Sequence, residues 1–111
     1  MLASIDVSGN SLKELNPSVW ELPRLRELRA ADNDIAELRV EEGASFLRLK
    51  LRVMRLENNR IMRLPAELAG LNNLVEVSLE GNLLAEALVG DDPTVNRMRA
   101  TCEKHSGELL L

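Results

Sequence analysis

The feature that most constrains this chain is an eleven-residue pattern, apolar residues ending on one asparagine and a further apolar residue, that occurs four times. Aligned on the asparagine it reads Leu2-x-x-Ile5-x-Val7-x-x-Asn10-x-Leu12, Leu25-x-x-Leu28-x-Ala30-x-x-Asn33-x-Ile35, Leu51-x-x-Met54-x-Leu56-x-x-Asn59-x-Ile61 and Leu74-x-x-Val77-x-Leu79-x-x-Asn82-x-Leu84. The asparagines are 23, 26 and 23 residues apart. A fixed period outranks local propensity, because every copy must offer the same apolar places to its neighbours. No copy can bury its leucines alone, so the copies must stack and share one core.

Inside each copy the apolar residues at the fourth and sixth places alternate with variable ones, which is the signature of a short strand with one face buried. The variable residues then line up across neighbouring strands. The central outward column reads Asp6, Arg29, Arg55, Ser78, the one before it Ser4, Glu27, Val53, Glu76, and the one after it Ser8, Ala31, Glu57, Glu80. Asn10, Asn33, Asn59 and Asn82 suit the bend after each strand. A side-chain amide both donates and accepts, so it can satisfy backbone groups that the bend leaves unpaired, and four of them form a ladder.

These four segments resemble the leucine-rich repeat family, whose consensus is this eleven-residue stretch with asparagine or cysteine at the ninth place. The connection Leu64-Pro65-Ala66-Glu67-Leu68-Ala69-Gly70-Leu71, matched by Leu15, Val19, Leu22 and Leu25 at equal offsets, resembles the intracellular 23-residue Leu-Pro type found in Ras-pathway scaffolds. The likeness spans about residues 2 to 88. It implies an α/β leucine-rich-repeat solenoid, a right-handed β-α superhelix with four short parallel strands on its concave face. Residues 1–90 are then four repeats, and residues 91–111 a C-terminal capping helix and tail.

Departures from the period locate the ends and an insertion. Three extra residues fall in the stretch from Arg39 to Lys50, where Glu41-Glu42-Gly43 suggests a bulge that need not break the ladder. After Asn82 the pattern dissolves into Leu84-Ala85-Glu86-Ala87-Leu88, with no further strand expected. Asp91-Asp92-Pro93 reads as a helix start, with an aspartate cap and a proline in the first turn, and Gly107 as its stop. Val95, Met98 and Cys102 recur on one face of that helix, which would cover the last repeat. Leu109-Leu110-Leu111 is either a flap over the last leucines or a disordered end. At the other end Ile5 would lie on an open edge strand. Either the chain is the C-terminal part of a longer array, or a partner or second copy covers its first repeat.

Composition then narrows the chemistry. The chain has 111 residues, 45% of them apolar and 22 of them leucine, and a net charge of -4. That sign disfavours a generic nucleic-acid or anionic-membrane binder, and no apolar run approaches a membrane span. A single cysteine without a disulfide partner points to a reducing compartment, so the expected location is the cytoplasm. Residues 48 to 63 carry +5, yet the repeat sends these side chains to different surfaces, and no aromatic residue accompanies them for base stacking. Cys102 and His105, the only pair on which a nucleophile site could be assembled, lack an orienting acid or oxyanion donors in sequence. No enzyme, metal site or cofactor is expected.

Recognition is the function the resemblance implies: a non-enzymatic protein-protein interaction scaffold holding a partner protein in the hollow of the repeats. The candidate contact residues are Asp6, Glu27, Arg29, Arg55, Glu57, Ser78 and Glu80. Arg29 and Arg55 stand side by side in the central column. Either Glu27 and Glu57 neutralise them internally, or a partner carboxylate or phosphate does. Trp20 has two readings as well, local packing on the convex side or an anchor for a partner.

Overall fold

A strand only three residues long has too few hydrogen bonds to stand alone, so each copy's alternating segment forms only because the next copy lies against it. The computed structural model describes residues 4–22, 24–40, 49–84 and 92–111. The strands are β1 (Ser4–Asp6), β2 (Glu27–Arg29), β3 (Val53–Arg55), β4 (Glu76–Ser78) and β5 (Glu108–Leu110), all parallel, in the order β1-β2-β3-β4-β5. Ile5, Leu28, Met54 and Val77 stand opposite one another, so the register follows the period of the leucine pattern. The expected solenoid is therefore present, with one strand more than the four repeats account for.

The inward places fill the core. Leu25, Leu28, Ile35, Leu51, Met54, Leu56, Ile61, Leu71 and Leu74 are buried completely, each contributing roughly 1.5–3 kcal/mol on removal from water. On the side away from the sheet, two 3-10 helices, η1 (Pro17–Glu21) and η2 (Ala66–Gly70), occupy matching places before β2 and β4. The Asn16 side chain caps η1 by accepting from the Ser18 N–H at 3.0 Å, and Pro17 supplies the fixed φ of a first helical residue. Trp20 packs inside this layer, 4% exposed, and its indole N–H donates to the Arg39 carbonyl at 2.9 Å. Local packing, the first of its two readings, is what the fold uses.

Asparagines knit the coils together. The Asn59 carbonyl oxygen accepts from the Ile35 N–H at 3.1 Å, and its amide donates back to Ala30 of the previous coil at 2.9 Å and to Leu56 of its own at 3.0 Å. Asn33 accepts from the Asn10 and Leu12 N–H groups, each at 2.9 Å, and Asn82 accepts from Ile61 at 3.0 Å. The ladder runs unbroken across the insertion. The bulge expected at Glu41-Glu42-Gly43, and the Ala85 to Leu88 stretch, lie outside the described residues. Just before each asparagine the backbone enters the left-handed region, at Gly9, Asp32, Asn58 and Gly81, with φ of 72°, 55°, 57° and 74°. Glycine, aspartate and asparagine are the residue types that tolerate it.

The C-terminal helix α1 (Pro93–Lys104) starts as its sequence indicates. Asp92 caps it by accepting from the Val95 N–H at 3.0 Å, and Val95, Met98 and Cys102 are buried against the last coil. Its end divides between two residues. Ser106, at φ 62°, takes the left-handed position, while the Gly107 N–H donates to the Cys102 carbonyl and the Ser106 N–H to that of Glu103, a Schellman closure. Gly107 is needed for a different reason: a Cβ there would collide with the Val75 carbonyl. That close approach lets the Glu108 N–H reach the Val75 carbonyl at 2.9 Å, and the Leu109 tail becomes β5 rather than a flap or a loose end. The expectation of no strand after Asn82 is corrected accordingly. Helix α1 serves as the crossover that two adjacent parallel strands require.

Candidate protein-binding face

Pairing register sets the geometry of the outward surface. Asp6, Arg29, Arg55 and Ser78 share one row across the sheet, and β5 extends that row with Leu110. The row before it is Ser4, Glu27, Val53 and Glu76, extended by Glu108. These two columns were legible in the repeat; Glu108 and Leu110 were not, because the fifth strand carries no copy of the pattern. The available signal was an apolar triplet directly after a helix stop.

Charges in the face are largely matched from within. Arg29 meets Glu27 at 3.3 Å. Arg55 takes two carboxylates, Glu76 at 2.6 Å and Glu57 at 3.5 Å. The tighter of these partners, Glu76, comes from the neighbouring strand and was not singled out by sequence. Arg55 is half-buried, and its Nε is the one buried side-chain nitrogen or oxygen among the described residues without a hydrogen-bond partner. Two guanidinium groups in adjacent strands are thus tolerated because three glutamates surround them. Internal neutralisation, rather than a vacancy for an outside anion, is the resting arrangement.

The remaining candidates divide by exposure. Asp6 is exposed, and the Ser8 backbone N–H at 3.0 Å, then the Ser8 hydroxyl, hold its carboxyl below the usual range, with Arg29 adding to the effect. Glu80 is exposed and forms no ion pair among the described residues. Ser78, although in the outward row, is only 3% exposed, flanked in register by Arg55 and Leu110. The strand that the repeat did not announce is what encloses it.

Side chains that could do chemistry are placed elsewhere. Cys102 is buried in the core, and desolvation pushes its thiol up to about 11. The exposed His105 ring lies with Nε2 2.9 Å from the Asn72 carbonyl, to which that nitrogen donates, tying the helix end to the fourth repeat. The two therefore play packing and anchoring parts. Among the described residues no group of histidine, cysteine, aspartate or glutamate is placed to hold a metal, and no helix is long and apolar enough to cross a membrane.

No family model matches the chain. Among solved structures the chain is similar to an LRR protein of Leptospira interrogans, at 27% sequence identity and a TM-score of 0.71. The match covers 97% of this chain and 25% of that one, so the present chain spans about a quarter of its length.

Proposed function

We propose that this leucine-rich-repeat solenoid is a non-enzymatic interaction module that binds a partner protein through the concave face and its adjacent rim. The observation that carries the reading is the division of labour in each strand. One side chain in two is spent on the shared core, while the residues between them stand in registered rows that, Ser78 apart, are exposed or only partly buried. Parallel strands about 4.8 Å apart on a curved, stacked scaffold present such rows without further ordering on binding. The buried, protonated thiol of Cys102 and the engaged ring of His105 support the non-enzymatic part.

The partner is a protein, bound by Asp6, Glu27, Arg29, Arg55, Glu57 and Glu80, with Ser78 contributing only if Leu110 moves aside. The resemblance to Ras-pathway scaffold repeats makes GTPases, phosphatases and cytoskeletal assemblies the partner classes to test first, in a cytoplasmic setting. The test compares affinity capture by the native chain with capture by an Arg29→Glu, Glu80→Lys double variant. Loss of specific partners with an unchanged circular dichroism spectrum is the expected result. Identical capture by both chains sinks the concave-face reading.

A second reading is a structural subunit whose first repeat is covered by another chain. It is favoured by an open apolar depression of about 370 Å³ at the β1 end, lined by Ile5, Val7, Leu12 and Leu22 among others.

A further inference from the structure

Of the arginines in and just before β2 and β3, one pair is neutralised and the other is not. Arg29 and Arg55 are held by Glu27, Glu57 and Glu76. Arg26 and Arg52, each one residue before its strand, form no ion pair among the described residues; the Arg26 Nη1 donates to the Leu25 carbonyl at 3.4 Å, and Arg52 is exposed. The lateral hydrogen bonds of the sheet continue back to these two residues, since the Arg52 and Val53 N–H groups both donate to the Arg26 carbonyl, at 2.8 and 3.0 Å. Their side chains are therefore neighbours across strands about 4.8 Å apart, where like charges destabilise unless an anion joins them. Arg24 and Lys50, two residues further back, are exposed and also form no ion pair among the described residues. Arg26 and Arg52 line a cavity of about 200 Å³ at the rim of the concave face, completed by Val53, Val75, Glu27 and Glu76. Both glutamates are already engaged, Glu27 with Arg29 at 3.3 Å and Glu76 with Arg55 at 2.6 Å. The cavity thus offers a ligand two guanidinium forks without an anion, beside two apolar side chains.

We propose that this cavity binds a phosphorylated serine or threonine of the partner protein, so that recognition by the concave face depends on the partner's phosphorylation. This deepens the first reading above and rests on it, since the cavity lies on the rim of that face. The number of forks selects phosphate over carboxylate. A carboxylate has two oxygens, enough for one guanidinium, whereas a phosphate monoester sets three oxygens and a charge of about -1.5 to -2 between both. The valines select an ester over the free ion: Val53 and Val75 give the methylene of phosphoserine or the methyl of phosphothreonine an apolar contact that inorganic phosphate lacks. No aromatic side chain lines the cavity to stack a nucleotide base, and a net charge of -4 opposes approach to an anionic membrane. A phosphorylated protein segment meets all of these conditions.

The test is a nuclear magnetic resonance titration of the full chain that follows arginine Nε–H and backbone amide signals, with N-acetyl-phosphothreonine N-methylamide as the probe. Saturable shifts at Arg26, Arg52 and Val53 are expected up to millimolar probe, with inorganic phosphate and N-acetyl-glutamate N-methylamide each binding more weakly by on the order of tenfold. Arg52→Gln, at an exposed position, should weaken probe binding by on the order of tenfold, and Arg52→Lys nearly as much, because lysine keeps the charge and loses the fork. Arg60→Gln, exposed and past the strand, should change nothing. Absence of shifts at Arg26 and Arg52, equal binding of inorganic phosphate, or tighter binding of a soluble inositol phosphate headgroup, which marks a lipid source, overturns the proposal. Affinity capture separates this failure from that of the first reading. Partners lost in Arg29→Glu, Glu80→Lys but retained after phosphatase treatment of the extract overturn the phosphate site and leave the concave face standing. Partners retained by that double variant sink the face and the proposal with it.

Discussion

Replacing Asn59 by alanine tests the asparagine ladder where its consequences are most sharply defined. Asn59 is 6% exposed and bonds four backbone groups, accepting from Ile35 N–H and donating to the carbonyls of Ala30, Leu56 and Glu57. The three carbonyls keep other partners after the change: Ala30 retains Asn33, Leu56 retains Asn82, and Glu57 retains the Asp32 N–H. The Ile35 N–H does not. One buried amide is orphaned, at about 1–3 kcal/mol, and the void left by the side chain adds to that. An overall loss of about 2–4 kcal/mol is expected, a large share of the stability of a small domain. Asn10→Ala provides the internal control. Asn10 is exposed and accepts no backbone N–H among the described residues, so its loss should cost under about 1 kcal/mol. Urea unfolding followed by circular dichroism and by Trp20 emission measures both; Trp20 is the sole tryptophan and is buried. Coincident transitions are required before midpoints become free energies, because stacked repeats can unfold in parts. Equal losses for Asn10→Ala and Asn59→Ala would refute the reasoning, since it derives the cost from the orphaned amide and not from asparagine as such.

Three further outcomes are expected. Gly81→Ala should destabilise more than Gly9→Ala in the same denaturant assay: both residues have positive φ, but a Cβ at 81 also strikes the Asn58 side chain, whereas one at 9 meets nothing. Gly107→Ala should detach β5, read as faster amide exchange at Leu79, whose N–H donates to the Leu110 carbonyl at 2.8 Å, whereas Ser106→Gly should stabilise by up to about 1 kcal/mol by relieving the left-handed cost; equal effects of opposite sign to these would show the two roles to be exchanged. Cys102 should resist alkylation at neutral pH and react fully once unfolded. Its thiol is raised from 9.0 to about 11 in the folded chain, so the unfolded state loses its proton first; this contribution to stability is intact below pH 9 and declines as pH rises through about 11.

Much of the architecture was legible because the repeat is a local rule with a global consequence. Leu28, Met54 and Val77 share a register because each coil returns the chain to the same place, and the spacing alone says so. Asn33, Asn59 and Asn82 were legible for the same reason. The left-handed residue before each asparagine was equally available, since the four positions hold glycine, aspartate, asparagine and glycine, but it becomes meaningful only once the bend is seen. The candidate face was legible as columns and not as contacts: Glu76 as the tighter partner of Arg55 depends on which carboxylate bends toward the guanidinium.

Sequence by itself determined the stacked coils, the shared leucine spine, the order of the outward rows, and a helix beginning at Asp92 with one apolar side. Only the tertiary structure decided that the tail after Gly107 adds a fifth strand, that Ser78 is enclosed by it, that Trp20 points inward, and that Ser106 rather than Gly107 carries the left-handed turn. The reason is physical. Periodic features are enforced by every copy at once and survive in the spacing, whereas the edge strand, the buried serine and the close approach at Val75 each arise from a single packing event that has no second copy to announce it.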